Sequence, residues 1–168
     1  MSPDRGTAAI ALLGLALLAG GCELNTGSDA QDAKPPSTAK VLRVVDGDTI
    51  QVDLDGDTEY VRYIGIDTPE TVKPDTPVQC FGPEASERNH ELVAEGETVR
   101  LEFDQEYRDA YDRLLAYVYV GKDLINADLI RGGYARTLEI EPNTARADQL
   151  AKLETHAGDA GKGLWGAC

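Results

Sequence analysis

The feature that most constrains the fold is a run of three short β-type segments joined by Asp-Gly pairs, KVLRVVDGDTIQVDLDGDTEYVRYIGID. The segments span Val41–Val45, Thr49–Leu54 and Glu59–Ile66, and each carries the β-branched and aromatic residues that strands favour. An Asp-Gly pair between two such segments is a strong signal for a β-hairpin. The run therefore predicts three strands that follow one another through tight turns.

The rest of the chain adds two strands and three helices to this run. The further strands are predicted over Thr98–Phe103 and Leu114–Val120. The helices are predicted over Glu84–Glu95, over the periodic segment DLINADLIRGGYA that stops at its glycine pair, and from a cap at Asn143 to His156. Five short strands with three helices predict a five-stranded barrel of the oligonucleotide- and oligosaccharide-binding fold (OB-fold).

The N-terminal end has the features of a targeting segment. The apolar run Thr7–Leu18 follows a single basic residue, is too short for a comfortable membrane span, and leads through small residues to Cys22. We expect residues 1–21 to be a signal peptide of the bacterial lipoprotein type, with a lipid on Cys22 that anchors the protein in the cell-envelope membrane. The alternative is an ordinary secretory signal in which Cys22 is incidental. Both alternatives place the mature protein outside the cytoplasm.

Composition divides the mature chain into a linker and a domain. Residues 22–39 are rich in Ser, Thr, Pro, Asp and Ala without periodicity, which predicts a flexible linker, and residues 40–168 form the predicted domain. If Cys22 carries lipid, Cys80 and Cys168 are left as a pair in an oxidising compartment and are expected to form a disulfide. Two separate free thiols are the alternative.

The charge of the chain limits how it approaches a polyanion. A formal net charge of −14 argues against non-specific attraction to phosphate polymers. The acidity is explained by a salt-rich habitat, by the solubility of an exported protein, or by a domain that no longer binds nucleic acid. In the first two cases an arginine-bearing cleft still holds a phosphate, with an affinity that falls as salt rises.

Carboxylates stand at the ends of the predicted strands. Asp46 and Asp48 flank a glycine after the first strand, and Asp67 ends the third. Tight hairpins bring these ends together, so Asp48 and Asp67, with the backbone carbonyl of Thr68, offer a hard oxygen site for a divalent cation. The alternative is that Asp46 and Asp48 only shape a turn.

Two arginines and one glutamate complete the set of candidate residues. Arg62 and Arg113 carry planar guanidinium forks that suit phosphate oxygens, although a single arginine at a strand end is usually a solvated charge or half of an ion pair. Arg62 lies five residues before Asp67, and this odd separation puts the side chains on opposite faces of a regular strand. Both histidines fall in predicted helices as surface residues, so a hydrolase here would need Glu70 as its proton acceptor.

Six motifs occur in one order over most of residues 40–165. They are VVDGDTIQV, VRYIGIDTPET, GPEAS, YDRLLAYVYV, LINADLIRGGYA and GLW. As a set they resemble the thermonuclease, or staphylococcal nuclease-like, family. The resemblance implies a five-stranded barrel with three helices, acting as a calcium-dependent phosphodiesterase that cuts DNA and RNA and leaves 3′-phosphates. We expect a monomer.

The resemblance also assigns the metal site. Asp48 and Asp67 would ligate calcium together with the backbone carbonyl of Thr68, and Asp46 would lie just outside that shell. A calcium ion at this position offsets the negative charge that a phosphodiester gains as water attacks it.

The resemblance assigns the remaining residues to the phosphate and to the attacking water. Arg62 and Arg113 would grip the scissile phosphate, and Glu70 would be the general base. One departure concerns the tyrosines that the family often stacks on a base, because the corresponding segment here, ARTLEIEPN, has none. The alternatives are a catalytically inactive nuclease-like OB-fold binding module, which would be expected to lack the glutamate or an arginine, and an enzyme acting on another phosphodiester.

Overall fold

The structure is a computed structural model that describes Met1 and residues 34–35, 37–72 and 74–168. Within it, Lys34–Cys168 form one compact unit. The predicted signal peptide, the lipidation site Cys22 and most of the predicted linker lie outside the described residues. Among the helices that are described, none is long and apolar enough to cross a membrane.

The described part of the chain contains eight strands and four helices. The strands are β1 Thr38–Val44, β2 Thr49–Leu54, β3 Asp57–Tyr63, β4 Ile66–Asp67, β5 Thr98–Glu102, β6 Leu114–Val120, β7 Asp123–Leu124 and β8 Arg136–Thr137. The helices are α1 Gly82–Leu92, α2 Ile125–Gly132, α3 Ala147–Asp159 and α4 Leu164–Ala167. Strands β2 and β6 have the bounds that the sequence predicts.

Five of these strands close into a barrel. Strands β1, β2 and β3 form an antiparallel meander, and β5 pairs antiparallel with both β1 and β6. A parallel pairing of β3 with β6, in which Arg62 lies opposite Leu115, closes the sheet on itself. The predicted five-stranded OB-fold barrel with three helices is confirmed, and α4 adds a short fourth helix.

The barrel interior explains which side chains of the strands are buried. Along β2, Ile50, Val52 and Leu54 are buried whereas Gln51 and Asp53 are half-buried, as expected of a strand with one face on a core. Strand β6 is buried along most of its length, because α2 packs against it outside the barrel. Each fully buried aliphatic side chain contributes roughly 1.5–3 kcal/mol to the free energy of folding.

Strand β3 ends at Tyr63, three residues earlier than the predicted end at Ile66. The chain turns at Gly65, whose φ of +79° is a left-handed conformation that glycine adopts readily. The guanidinium of Arg62 braces this turn by donating to the carbonyl oxygens of Tyr63 and Ile66. Because the turn separates Arg62 from Asp67, the alternation of faces along one strand no longer keeps the two side chains apart.

The prediction that Asn143 caps the third helix is wrong, since α3 begins at Ala147. Asn143 is buried, and its Oδ1 accepts hydrogen bonds from the amides of Gln105 and Glu106. Its Nδ2 donates to the carbonyl of Glu106. The side chain therefore fastens the segment before α3 to the connection between β5 and β6, and its hydrogen-bonding capacity is used there.

A disulfide joins Cys80 to Cys168, with the two Cα atoms 6.1 Å apart. The bridge links the loop that precedes α1 to the residue that follows α4, over a sequence separation of 88. In the chain-entropy model, a closed loop of this length stabilises the folded state by about 4–5 kcal/mol.

Candidate active site

Asp48 joins the turn after β1 to the segment after β4. The residue is buried, and its Oδ2 accepts from the amide and the hydroxyl of Thr68 at 2.8 and 2.9 Å. Its Oδ1 accepts from the hydroxyl of Thr49. Asp46, by contrast, accepts from the amide of Asp48 through its own Oδ1 and shapes the turn. The side-chain hydrogen bond of Asp46 thus lies within the turn, whereas those of Asp48 reach beyond it to Thr68.

Gly47 explains how these two segments approach each other. A Cβ at this position would lie 2.6 Å from Oγ1 and 2.7 Å from Cβ of Thr68, which is closer than side chains pack. Only glycine leaves the space in which Thr68 reaches the carboxylate of Asp48.

Arg62 lies between the two carboxylates that the sequence assigns to a metal. Its Nη2 donates to Oδ1 of Asp67 at 2.9 Å, and its Nη1 lies 3.2 Å from Oδ2 of Asp48. The side chains of Arg62 and Asp48 are only 14% and 7% exposed, so solvent weakens their contact less than it weakens a surface ion pair. The turn at the end of β3 thus brings Asp67 to Arg62, from which a continuous strand would separate it. The pairing of Thr49 with Arg62 places the neighbouring Asp48 beside them.

Burial and mutual repulsion raise the pKa of two carboxyl groups here. Burial, followed by the charge of Asp48, raises the pKa of Asp46 to about 6. The pKa of Asp67 is raised by partial desolvation, although 58% of its side chain is exposed. The Arg62 guanidinium lowers this pKa, whereas the charges of Asp48 and Glu70 raise it. The carboxylates thus repel one another, and a bound cation would relieve that repulsion.

The donor set fits a hard cation such as Ca²⁺. Calcium takes roughly six to eight oxygen ligands from carboxylates, backbone carbonyls and water. Asp48 and Asp67 both contact the Arg62 guanidinium, so their oxygens already face one positive group. Within the described residues no three His, Cys, Asp or Glu side chains are grouped to hold a metal. The Thr68 carbonyl and water would therefore complete the coordination by these two carboxylates.

Arg113 is held in place by Asp109, four residues earlier. Its Nε and Nη2 lie 2.8 and 2.7 Å from Oδ2 of Asp109, whose Oδ1 accepts from the amides of Tyr111 and Arg113. Arg113 and Arg62 line the same cavity, which has a volume of about 310 Å³. The two guanidinium-bearing residues predicted to hold a phosphate therefore share one site.

The walls of this cavity differ from those expected of a base-stacking pocket. Leu138 and Ile140, from the segment ARTLEIEPN, line it and are 38% and 62% exposed. Tyr111 is 82% exposed, and the centre of its ring lies 5.6 Å from the guanidinium carbon of Arg113. An exposed aromatic ring is therefore available beside the site, although not from the segment where the family often has tyrosines.

Glu70 lies on the loop after β4 and is half-buried. Its Oε1 accepts hydrogen bonds from the amides of Thr71 and Val72, both at 2.8 Å. Its charge is the smallest of the causes that shift the pKa of Asp67, after burial and the charges of Arg62 and Asp48. Among the described residues, neither Glu70 nor the carboxylates of Asp48 and Asp67 line the cavity, so Arg62 is the link between the cavity and the carboxylates.

Two residues that support the site were not found by the sequence analysis. Asp109 has one signal, an aspartate four residues before an arginine in DAYDR. Asn89 of α1 is buried, donates to the carbonyl of Asp46 at 2.9 Å and accepts from the hydroxyl of Tyr63. It has no local signal, because its partners lie more than 25 positions away in the sequence.

Comparison with known proteins identifies a related family. Residues 60–167 match the family described as "Staphylococcal nuclease homologue". The thermonuclease of Staphylococcus hyicus is 44% identical over 128 residues, which cover 76% of this chain and 75% of that protein.

Two relatives from Bacillus subtilis are longer proteins. The SPbeta prophage-derived endonuclease YokF is 48% identical over 125 residues, 73% of this chain and 42% of the relative. The endonuclease YncB is 46% identical over 125 residues, 73% of this chain and 59% of the relative. The chain thus spans three quarters of the thermonuclease and a smaller share of these endonucleases.

Proposed function

The chain belongs to the staphylococcal nuclease family and is a phosphodiester hydrolase, and we propose that it is a calcium-dependent nuclease acting on DNA and RNA outside the cytoplasm. The observation that carries this proposal is the shared cavity of Arg62 and Arg113, with the carboxylates of Asp48 and Asp67 on the Arg62 guanidinium. The arrangement offers the scissile phosphate two guanidinium groups and a site for a hard cation.

The residues of the site have separate tasks in this hydrolysis. As water attacks the phosphorus, Arg62 and Arg113 donate hydrogen bonds to the phosphoryl oxygens that gain negative charge. Asp48, Asp67 and the Thr68 carbonyl would hold calcium, which would supply Lewis-acid chemistry to the reaction when bound. Glu70 accepts the proton of the attacking water. The bond from phosphorus to the 5′-oxygen breaks, the leaving 5′-oxygen takes a proton from water to give a 5′-hydroxyl, and the phosphate stays on the 3′ side.

The arginines of the cavity are the groups by which this acidic protein would bind a phosphate. Each arginine of the cavity is oriented by a carboxylate, Arg62 by Asp67 and Arg113 by Asp109. Arg113 is held through Nε and Nη2 and presents its Nη1 to a phosphate. Both Nη atoms of Arg62 contact protein oxygens, so Arg62 would give up a contact with Asp48 or Asp67 to bind the same phosphate. Local donors can therefore bind the substrate although the net charge of the chain repels it.

Cleavage in calcium and in a chelator tests this function. We expect the protein to cut both plasmid DNA and RNA in calcium, to stop when a calcium chelator is added, and to resume when calcium is restored in excess. Polymerase should extend the DNA products only after phosphatase treatment, because the ends carry 3′-phosphates. Equal cleavage with and without chelator would contradict the calcium requirement. A folded protein that cuts nothing in calcium would favour the inactive binding module.

The extracytoplasmic location rests on the sequence alone. The apolar run and small residues before Cys22 support a lipid anchor on that cysteine. In a bacterial host, the protein should partition into the detergent phase after Triton X-114 separation, and Cys22→Ser should move it to the aqueous phase. Wild-type protein found in the aqueous phase at its full precursor mass would contradict both export and anchoring.

A further inference from the structure

The backbone of Glu70 is held on both sides by one residue, Gln79. The amide of Glu70 donates to Oε1 of Gln79 at 3.0 Å. In return, the amide of Gln79 donates to the carbonyl of Glu70 at 2.9 Å. The two residues are nine positions apart, so this pair of hydrogen bonds closes the base of the intervening loop.

Gln79 is itself fixed by the start of α1. Its carbonyl accepts from the amide of Gly82 at 3.0 Å. A Cβ on Gly82 would lie 3.0 Å from the carbonyl oxygen of Pro69 and 3.1 Å from that of Glu70, so the helix start abuts this backbone. Farther along α1, the buried Asn89 ties the helix to the barrel through its two hydrogen bonds.

The disulfide gives the same segment a second anchor. Cys80, next to Gln79, is bonded to Cys168 at the end of α4. At the other end of α4, Leu164 is buried and its amide donates to the carbonyl of Gly133 at 2.9 Å. The loop base is therefore connected to α1 on one side and, through a covalent bond, to the C-terminal helix on the other.

We propose that Gln79 is a positioning residue for Glu70 and that the Cys80–Cys168 disulfide holds Gln79 in register. The proposal rests on the proposed function, in which Glu70 accepts a proton. The carboxylate of Glu70 accepts from the amides of Thr71 and Val72, so its direction follows the backbone of this loop base. Gln79 fixes that backbone without contacting the carboxylate in the described hydrogen bonds.

The first test compares two substitutions of Gln79. Gln79→Met keeps the length of the side chain and removes the acceptor, whereas Gln79→Glu keeps an oxygen for the amide of Glu70. Because a misplacement of about 1 Å can cost up to about a hundredfold in rate, we expect Gln79→Met to lower kcat about tenfold or more. The KM for DNA and the calcium concentration for half-maximal activity should not change. Gln79→Glu should keep a kcat near that of the wild type.

A double-mutant cycle asks whether Gln79 acts through Glu70. In a Glu70→Ala background, whose slow turnover is followed at high enzyme concentration, Gln79→Met should cause no further loss. The paired variant Cys80→Ser with Cys168→Ser should lower kcat, and adding Gln79→Met to it should cost less than in the wild type. Gln149→Met, an exposed substitution on α3, is the matched control. Circular dichroism at the assay temperature verifies folding.

The outcomes separate this proposal from the proposed function. A wild-type protein that cuts no nucleic acid in calcium contradicts the nuclease assignment itself. An active wild type together with an unchanged kcat in folded Gln79→Met overturns the positioning role alone. A loss that is equally large with and without Glu70 overturns it as well, because Gln79 would then act by another route.

Discussion

Arg113→Ala is expected to lower kcat/KM for DNA by about 10²–10³-fold, because removing one preorganised donor from a developing charge costs roughly 3–4 kcal/mol. The fold should survive the change. Arg113 is half-buried on the cavity wall, and Asp109 keeps its hydrogen bonds from two backbone amides when the guanidinium is removed. The rate in calcium, measured beside the circular dichroism spectrum, provides the comparison.

Two further variants make the Arg113 result specific. Arg113→Lys keeps the charge but not the planar fork, so it should recover only part of the lost rate. Arg88→Ala removes an arginine from α1 that pairs with Glu91 on the surface, and it should leave the rate unchanged. If Arg113→Ala cuts DNA at the same rate as Arg88→Ala, the Arg113 guanidinium is not used in catalysis.

Asp48→Asn should abolish most calcium binding while it preserves the local hydrogen bonds. The amide oxygen can still accept from the amide and hydroxyl of Thr68, and the amide nitrogen can donate to the hydroxyl of Thr49. What is lost is one charged ligand. Substituting residues that only support a metal ligand already costs about 10–100-fold in affinity, so we expect at least that loss for the ligand itself.

Calorimetric titration with calcium, in the absence of nucleic acid, measures this loss directly. The matched control is Asp55→Asn, at the exposed turn between β2 and β3, where φ is +56° and asparagine is tolerated. Asp48→Asn should also reduce cleavage at saturating calcium by at least about tenfold, since the Lewis acid is no longer well held. An unchanged calcium affinity in folded Asp48→Asn would exclude Asp48 as a ligand.

The parts of the fold that local patterns specify were predictable from the sequence. Strand β2 alternates apolar and polar residues between two Asp-Gly pairs, and both of its ends are therefore marked. The end of β3 is not marked in the sequence, because Ile64 and Ile66 continue the apolar run across Gly65. Only the positive φ at Gly65 shows that the chain turns there, and this turn brings Arg62 to Asp67.

The candidate site divides in the same way. Three site residues stand at the ends of strands that the sequence marks, next to a turn. They are Asp48, Arg62 and Asp67. Asn143 was interpreted as a helix cap because capping is a local role, yet its partners lie 37 and 38 positions earlier. Gln79 likewise has an ordinary loop context, and its link to Glu70 depends on the folded loop. Long-range contacts between polar loops leave no periodic trace in the sequence.

The central claim is that one site at the rim of the barrel gathers the cation and both guanidinium groups around a single phosphate. A crystal structure with calcium and a nucleotide 3′,5′-bisphosphate tests it most directly. We expect the 5′-phosphate to lie within hydrogen-bond distance of Arg62 and Arg113, and the ion to bind Asp48, Asp67 and the Thr68 carbonyl. A phosphate bound away from both arginines, or an ion that leaves these two carboxylates without a metal contact, would contradict the claim.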